Sequence, residues 1–376
     1  MVASARLMLV VAVAVLAACG GKSGGGAESA GPGDIPGDAT GDVPADVVEA
    51  GDAAVDAPAE ARVDIGPPGC DPSSAAGLAA CVSEPNWEAD LAFIATPRDP
   101  GSPHWQEVQD LCARRFKDLG YTVELQAYGT GGIGVNVIGT KLGGARPDEH
   151  VIVSAHYDHI KGCAGADDNG SGAAGTLEAA RVLSYGTWDR TLVVACWDQE
   201  EDGLIGSGQY ALRAKKQGDD IVAAYVFEMI GFESSEPNSQ TIPPGFDLLF
   251  PDAAKYVTDN DSKGDFLAVI TDEASATQAG LMADQGKADG LPVLVLTVTD
   301  DLKTNPAIMN LLRSDHASFW MNDFPGMMIT DTSEFRNPNY HCKKSPDTAD
   351  TLTPAFAANV VRAAVASASQ TLGMSK

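Results

Sequence analysis

The chain has 376 residues and a formal net charge of −27, from 52 acidic and 25 basic side chains. A surface that acidic repels phosphate, which argues against nucleic acid as a partner and predicts no attraction to anionic lipid headgroups. Beyond its leading segments about 290 residues remain, a length that suits one large domain.

The first eighteen residues read as a leader. Arg6 precedes an apolar run from Leu7 to Leu16, followed by Ala17-Ala18-Cys19. That run is shorter than the roughly 20 residues a membrane-spanning helix needs, and it ends at small residues suited to processing. The cysteine at that point resembles a bacterial lipobox. The expectation is cleavage before Cys19, a lipid on its sulfur, and export to the bacterial cell envelope. Residues 19–68 change character: Gly, Ala, Pro and Asp dominate, with Asp34, Asp38, Asp42, Asp46, Asp52 and Asp56 recurring. Such a stretch cannot bury enough apolar surface to offset its ordering entropy, so it reads as a flexible acidic tether. A short cysteine-containing lead-in, 69–86, precedes the domain expected over 87–376.

Within that domain, Trp105 to Leu119 has helical periodicity and stops at Gly120. Tyr121 to Ala127 and Val135 to Thr140 read as strands. Val151 to Ala155 is a continuous apolar run, as expected of a strand buried on both faces. A helix over Gly172–Ser184, a buried strand over Thr191–Trp197, a helix over Ile205–Lys216 and a strand over Ile221–Phe227 follow. Further strands are read at Phe266–Ile270, Leu291–Val298 and Gly326–Thr330, and an amphipathic helix over Ala355–Leu372 closes the chain. Strands alternating with helices predict an α/β fold, a mostly parallel central sheet flanked by helices on both faces. No internal repeat is present.

Acids and histidines gather where the predicted strands end, which is where open α/β sheets bind ligands. His156 and Asp158 are two apart in extended chain, so they face one way, and a ligating imidazole needs a partner such as Asp158 on its other nitrogen. Asp167-Asp168-Asn169-Gly170-Ser171-Gly172 opens a helix; either aspartate is placed to bridge two metals. The same stretch with Glu178 at its twelfth position also resembles a calcium loop, although a strand rather than a helix enters it. Glu200-Glu201 offers one carboxylate for metal and one for a water. Glu228 stands among apolar neighbours, where an acid must be paired, neutral or metal-bound. For the last ligand His316, read as a helix start capped by Ser314, competes with His341. Imidazoles and carboxylates of this number suit a pair of zinc ions. Among the remaining cysteines, Cys70 and Cys81 are expected to pair, and Cys163 and Cys342 to pair across the mouth of the site. Cys112 and Cys196 are left as a third pair or two buried thiols.

From Trp87 onward these motifs, in this order, resemble the co-catalytic dizinc exopeptidases, a family that includes bacterial leucyl aminopeptidases, aminopeptidase Y and glutamate carboxypeptidase, with glutaminyl cyclase as a relative. The resemblance rests on His156-Tyr157-Asp158, Gly165 to Gly172, Glu200-Glu201 with Gly203 to Ser207, Glu228-Met229-Ile230-Gly231, Ser314-Asp315-His316, and Tyr340-His341 with Asp347-Thr348. It implies two zinc ions. One is held by His156, Asp168 and Glu228, the other by Asp168, Glu201 and His341, with Glu200 as general base and Asp158 supporting His156. Asp315 and His316 would lie near without ligating. Glu228 stands where many members have aspartate, and Cys342-Lys343-Lys344 lengthens one loop. The implied activity is removal of N-terminal residues from peptides, since an acidic site favours a substrate amine and the motifs contain no arginine clamp for a carboxylate. A carboxypeptidase, a glutaminyl-cyclase-like enzyme and an inactive binding lipoprotein are the rival readings. Oligomeric state is not legible.

Overall fold

A computed structural model of the chain describes residues 67–374, apart from 68, 130, 131, 133 and 304. The expected leader over 1–18, with Cys19 and nearly all of the tether over 19–68, lies outside the described residues. Eight strands form one sheet: β1 (Thr122–Tyr128), β2 (Gly134–Lys141), β3 (Arg146–His156), β4 (Arg190–Trp197), β5 (Asp220–Glu228), β6 (Leu267–Asp272), β7 (Val293–Val298) and β8 (Met327–Thr330). Their order is β1-β2-β4-β3-β5-β8-β6-β7. The central four, β4-β3-β5-β8, are mutually parallel, while β1 and β2 add an antiparallel ribbon and β6 pairs antiparallel with β8.

Ten α-helices accompany the sheet among the described residues: α1 (Ala75–Ala79), α2 (Glu84–Ile94), α3 (Pro103–Asp118), α4 (Gly172–Leu183), α5 (Ile205–Gln217), α6 (Phe246–Leu249), α7 (Pro251–Asp259), α8 (Ala276–Asp289), α9 (His316–Met321) and α10 (Pro354–Leu372). The alternation of β3 shows how both faces are filled. Val151, Val153 and Ala155 pack with Leu177, Ala180 and Val361 on one side, and Ile152 packs with Trp197, Tyr210 and Phe319 on the other. So α3, α4, α8 and α10 cover one face, and α5, α7 and α9 the opposite one. This is the expected α/β architecture with a mostly parallel sheet.

Two differences from the sequence reading have plain causes. α10 is expected to be amphipathic, yet fourteen of its nineteen residues are buried, because α1 and α8 pack over the side that would otherwise meet water. The lead-in over 69–86 supplies Leu78, Cys81 and Val82 to the core. Disulfides join Cys70 to Cys81 and Cys163 to Cys342, while Cys112 and Cys196 remain buried thiols. Among the described residues no helix is long and apolar enough to cross a membrane.

Candidate metal centre

Three parallel strands deliver acids and an imidazole to one edge of the sheet. His156 ends β3, Glu228 ends β5, and Glu200 and Glu201 lie just beyond β4. Ser154 pairs with Val226, so two residues further on His156 and Glu228 emerge side by side on the same face. His156 Nε2 lies 3.4 Å from Glu228 Oε2, 3.6 Å from Asp168 Oδ1 and 3.9 Å from Glu200 Oε2. On the other side of Asp168, His341 Nε2 lies 3.2 Å from Asp168 Oδ2 and 3.5 Å from Glu201 Oε2. The two oxygens of Asp168 thus face two different imidazoles.

The loop holding Asp168 is fixed from several directions. Asp347 accepts from the amides of Asp167 and Asp168 at 3.0 Å each. Asn169 donates to Phe227 O and accepts from Met229 N, which ties the loop to the end of β5. Its carboxamide also accepts from Gly172 N, and a Cβ at Gly172 would sit 2.3 Å from Asn169 Oδ1, so that position requires glycine. The Asp168–Asn169 peptide bond is cis. This loop also separates the two aspartates that the sequence leaves open. Asp167 turns away, accepting from Gly231 N and Asn337 Nδ2, and only Asp168 faces the cleft. The calcium-loop alternative fails on its twelfth position: Glu178 is buried on α4 against Arg181 and the Ser83 amide.

Asp158 does two jobs at once. Oδ1 accepts from His156 Nδ1 (3.2 Å) and from Glu200 N (3.0 Å), and Oδ2 accepts from Glu201 N (3.1 Å). One carboxylate therefore sets the imidazole's tautomer and the backbone of both glutamates. Between the two histidines, His341 has the site. His316 is wholly buried, and its Nε2 donates to Leu311 O at 2.9 Å, away from the cluster. Burial holds its pKa down at about 4. The expected cap of α9 needs correcting, since Asp315 precedes the helix and Ser314 caps nothing. The Ser314 hydroxyl instead donates to Glu228 Oε2 at 2.8 Å, orienting a ligand candidate.

Electrostatics show what the cluster lacks. Burial pushes Glu200 well above the usual carboxylate range; His156 opposes this, and Glu228, Asp315 and Glu201 add to it. Burial and then Asp168 push Glu201 to about 9. Burial alone would depress His156, yet Glu200, Asp158 and Glu228 hold it well above its ordinary value. Carboxylates crowded this closely cannot all ionise without a cation among them. Among the described residues, the buried His156 Nε2 and Glu201 Oε1 have no hydrogen-bond partner. An imidazole nitrogen fixed through its other nitrogen, aimed at carboxylates but bonded to none, fits a divalent metal with nitrogen and oxygen ligands.

Several residues escape the sequence reading because only the fold brings them here. Arg98, fully buried, donates to the carbonyls of Ile94, Tyr157, Asp158, Ala164 and Gly165, and so braces the loop after β3. Arg313 lines the cleft, its guanidinium bound to Glu334 and to the Tyr340 hydroxyl, and the Tyr340 ring stacks on His341 at 3.7 Å. Its position directly before Ser314-Asp315-His316 was the one available signal. Glu228, Arg313 and Tyr340 also border an apolar recess walled by Ile242, Phe246, Val257, Phe266, Ile270 and Leu296.

The profile described as Peptidase family M28 matches residues 136–368, which spans every residue of the cluster. The chain belongs to peptidase family M28. A relative in Escherichia coli (strain K12), the uncharacterized protein YfbL, is 31% identical over 226 residues, covering 56% of this chain and 64% of that protein. Aminopeptidase YwaD of Bacillus subtilis (strain 168) is 39% identical over 90 residues, covering 24% of this chain and 20% of the relative. The chain therefore spans less than two thirds of either relative's length. The crystal structure of the Legionella pneumophila LapA aminopeptidase superposes with a TM-score of 0.60 at 21% identity, over 80% of this chain and 75% of that one, a likeness of fold.

Proposed function

We propose that this M28 protein is a dizinc exopeptidase that removes N-terminal residues from peptides. The observation that carries the proposal is the division of Asp168, with Oδ1 toward His156 and Oδ2 toward His341. In this reading His156, Asp168 and Glu228 hold one zinc ion, and Asp168, Glu201 and His341 the other. A zinc pair, when bound, lowers the pKa of water toward roughly 7 and polarises a carbonyl. Glu200, whose Oε2 lies 3.9 Å from His156 Nε2 within the cluster but which belongs to neither ligand set in this reading, takes the proton from the attacking water and passes it to the departing amine. Asp158 keeps His156 in the tautomer that offers Nε2. Because the Tyr340 oxygen accepts from Arg313, its own hydrogen is free to donate into the cleft where the oxyanion develops.

Substrate polarity follows from the same walls. The acidic cleft suits a free α-amine, and the apolar recess beside Glu228 suits a large apolar side chain on the first residue. A carboxypeptidase would use Arg313 to hold a substrate carboxylate, but Glu334 already neutralises that guanidinium. A glutaminyl cyclase shares the general site, and the fold alone does not separate it from a peptidase; two complete ligand sets favour the peptidase. Export with a lipid on Cys19, at the bacterial envelope, belongs to the same proposal, supported by the apolar run and the cysteine that follows it. A panel of aminoacyl chromogenic substrates, with N-acetylated counterparts and with or without a chelator, tests the activity. Chelator-sensitive release from free-amine apolar substrates alone is expected. Equal cleavage of the acetylated set refutes the aminopeptidase reading.

A further inference from the structure

We propose that the Cys163–Cys342 disulfide is a positioning clamp for His341, and so governs the zinc ion shared by Asp168, Glu201 and His341 while leaving the other ion alone. The inference rests on the two-zinc reading above.

Among the ligand candidates only His341 has a left-handed backbone, with φ of 57°; it lies on an irregular loop between β8 and α10, and Cys342 follows at 55°. Two successive residues with side chains in that region persist only where the surroundings impose the conformation. Backbone hydrogen bonds give modest help: Cys342 N donates to Asn339 O at 2.8 Å, and Lys343 N to Tyr340 O at 3.3 Å. The covalent tie is the stronger constraint, and it falls on the residue next to the ligand.

The other end of the tie is anchored. Cys163 is buried, in the loop that leaves β3 through His156 and Asp158. Arg98 grips that loop at the carbonyls of Tyr157, Asp158, Ala164 and Gly165, on both sides of the cysteine. The bridge, between cysteines 179 residues apart in sequence, therefore transmits the rigidity of the β3 end to the loop bearing His341. Tyr340 constrains the imidazole from the opposite side by stacking, and Arg313 holds Tyr340. His156 and Glu228 receive nothing from the bridge, because strand register already places them. The clamp thus acts on one metal position.

The test replaces both sulfurs, Cys163→Ser with Cys342→Ser, so that no lone thiol is left to bind metal. Zinc content and affinity are measured by elemental analysis and chelator competition. The control is Cys70→Ser with Cys81→Ser, a disulfide whose residues do not line the cleft. The clamp predicts two ions in the wild type and in the control. In the Cys163/Cys342 variant it predicts one ion held as before and one weakened about 10- to 100-fold, the loss typical when a ligand's support is removed. Two ions of unchanged affinity in that variant, equal weakening of both, or the same loss in the control would each overturn it. A wild type that binds no pair of ions sinks the metal reading and the clamp together; a wild type with two and a variant with two sinks the clamp alone. Should the variant fail to fold, the folded wild type is reduced with a water-soluble phosphine and alkylated. The sulfur–sulfur bond breaks, the phosphine becomes its oxide, and water supplies the oxygen and the two thiol protons. Selective release of one ion as alkylation proceeds supports the clamp, and retention of both after complete alkylation contradicts it.

Discussion

His156 and Glu228 stand at the ends of adjacent parallel strands, whereas Glu201 and His341 stand on loops. The strand-borne pair is the more deeply buried, with side-chain exposures of 1% and 7% against 12% and 18% for the loop-borne pair. Sheet pairing fixes the first pair as a by-product of folding the core. The second pair needs dedicated supports: Asp158 on the amide of Glu201, and Tyr340 stacked on the imidazole of His341. Asp168 joins the halves, and Asp347 and Asn169 hold its loop from both. A cluster of this kind is a strand-fixed edge to which loop-borne side chains have been fastened, so substitutions in the two halves should not be equivalent.

The largest effect is expected where the halves meet. Glu200→Ala should retain both zinc ions and lose about a hundred- to ten-thousand-fold in turnover, the usual range for a general base. Near-normal turnover with full metal content would remove Glu200 from the mechanism.

Next come the two histidines. His156→Ala removes the imidazole that anchors Asp158, and with it the carboxylate that fixes the Glu200 and Glu201 amides, so zinc content should fall at both positions. His341→Ala should empty one position only. Elemental analysis of the two variants decides this, and identical losses would erase the contrast between the halves. Asp158→Asn is expected to be milder, weakening zinc about 10- to 100-fold. It should affect the loop half as well, because one oxygen serves Glu201.

The smallest effect lies outside both halves. Burial keeps the His316 imidazole at about 4, below its unfolded value, so the unfolded chain takes up a proton that the folded one refuses. Stability from this group therefore rises with pH between about 4 and 6.5 and is lost on acidification through that window, by about 3 kcal/mol. His316→Gln should lack that slope. Denaturant midpoints at pH 7 and pH 4.5 test this; equal acid losses in wild type and variant would contradict it.

Much of this was legible in the sequence for the same reason that the strand half is rigid. Apolar runs such as Val151–Ala155 announce buried strands, and an acid or histidine directly after one stands where parallel sheets open to ligands. The two disulfides were legible too, from Cys70 and Cys81 lying close in sequence and from Cys163 and Cys342 each lying near a proposed ligand. Among the supporting residues Asp158 was legible as the partner of His156, and Asp347 only as part of a motif, without its hold on the Asp168 loop. Arg98 was not, since it lies far along the chain from what it holds and nothing local marks a guanidinium destined for backbone carbonyls. Ser314 reads like a helix cap at the start of Ser314-Asp315-His316, but Glu228 claims its hydroxyl. α8 escaped because Gly280 and Gly286 interrupt its pattern, although a Cβ at Gly286 would lie 2.5 Å from Val293 Cγ2, so close packing explains that glycine. Choosing Asp168 over Asp167, and His341 over His316, required the family resemblance, and the hydrogen bonds of the rejected pair supply the physical reason.

The most direct test is anomalous diffraction at the zinc edge from crystals grown with zinc. Two peaks are predicted, one on each side of the Asp168 carboxylate, the first beside His156 and Glu228 and the second beside Glu201 and His341. A single peak, or density away from Asp168, would contradict the shared-carboxylate centre from which the proposed chemistry follows.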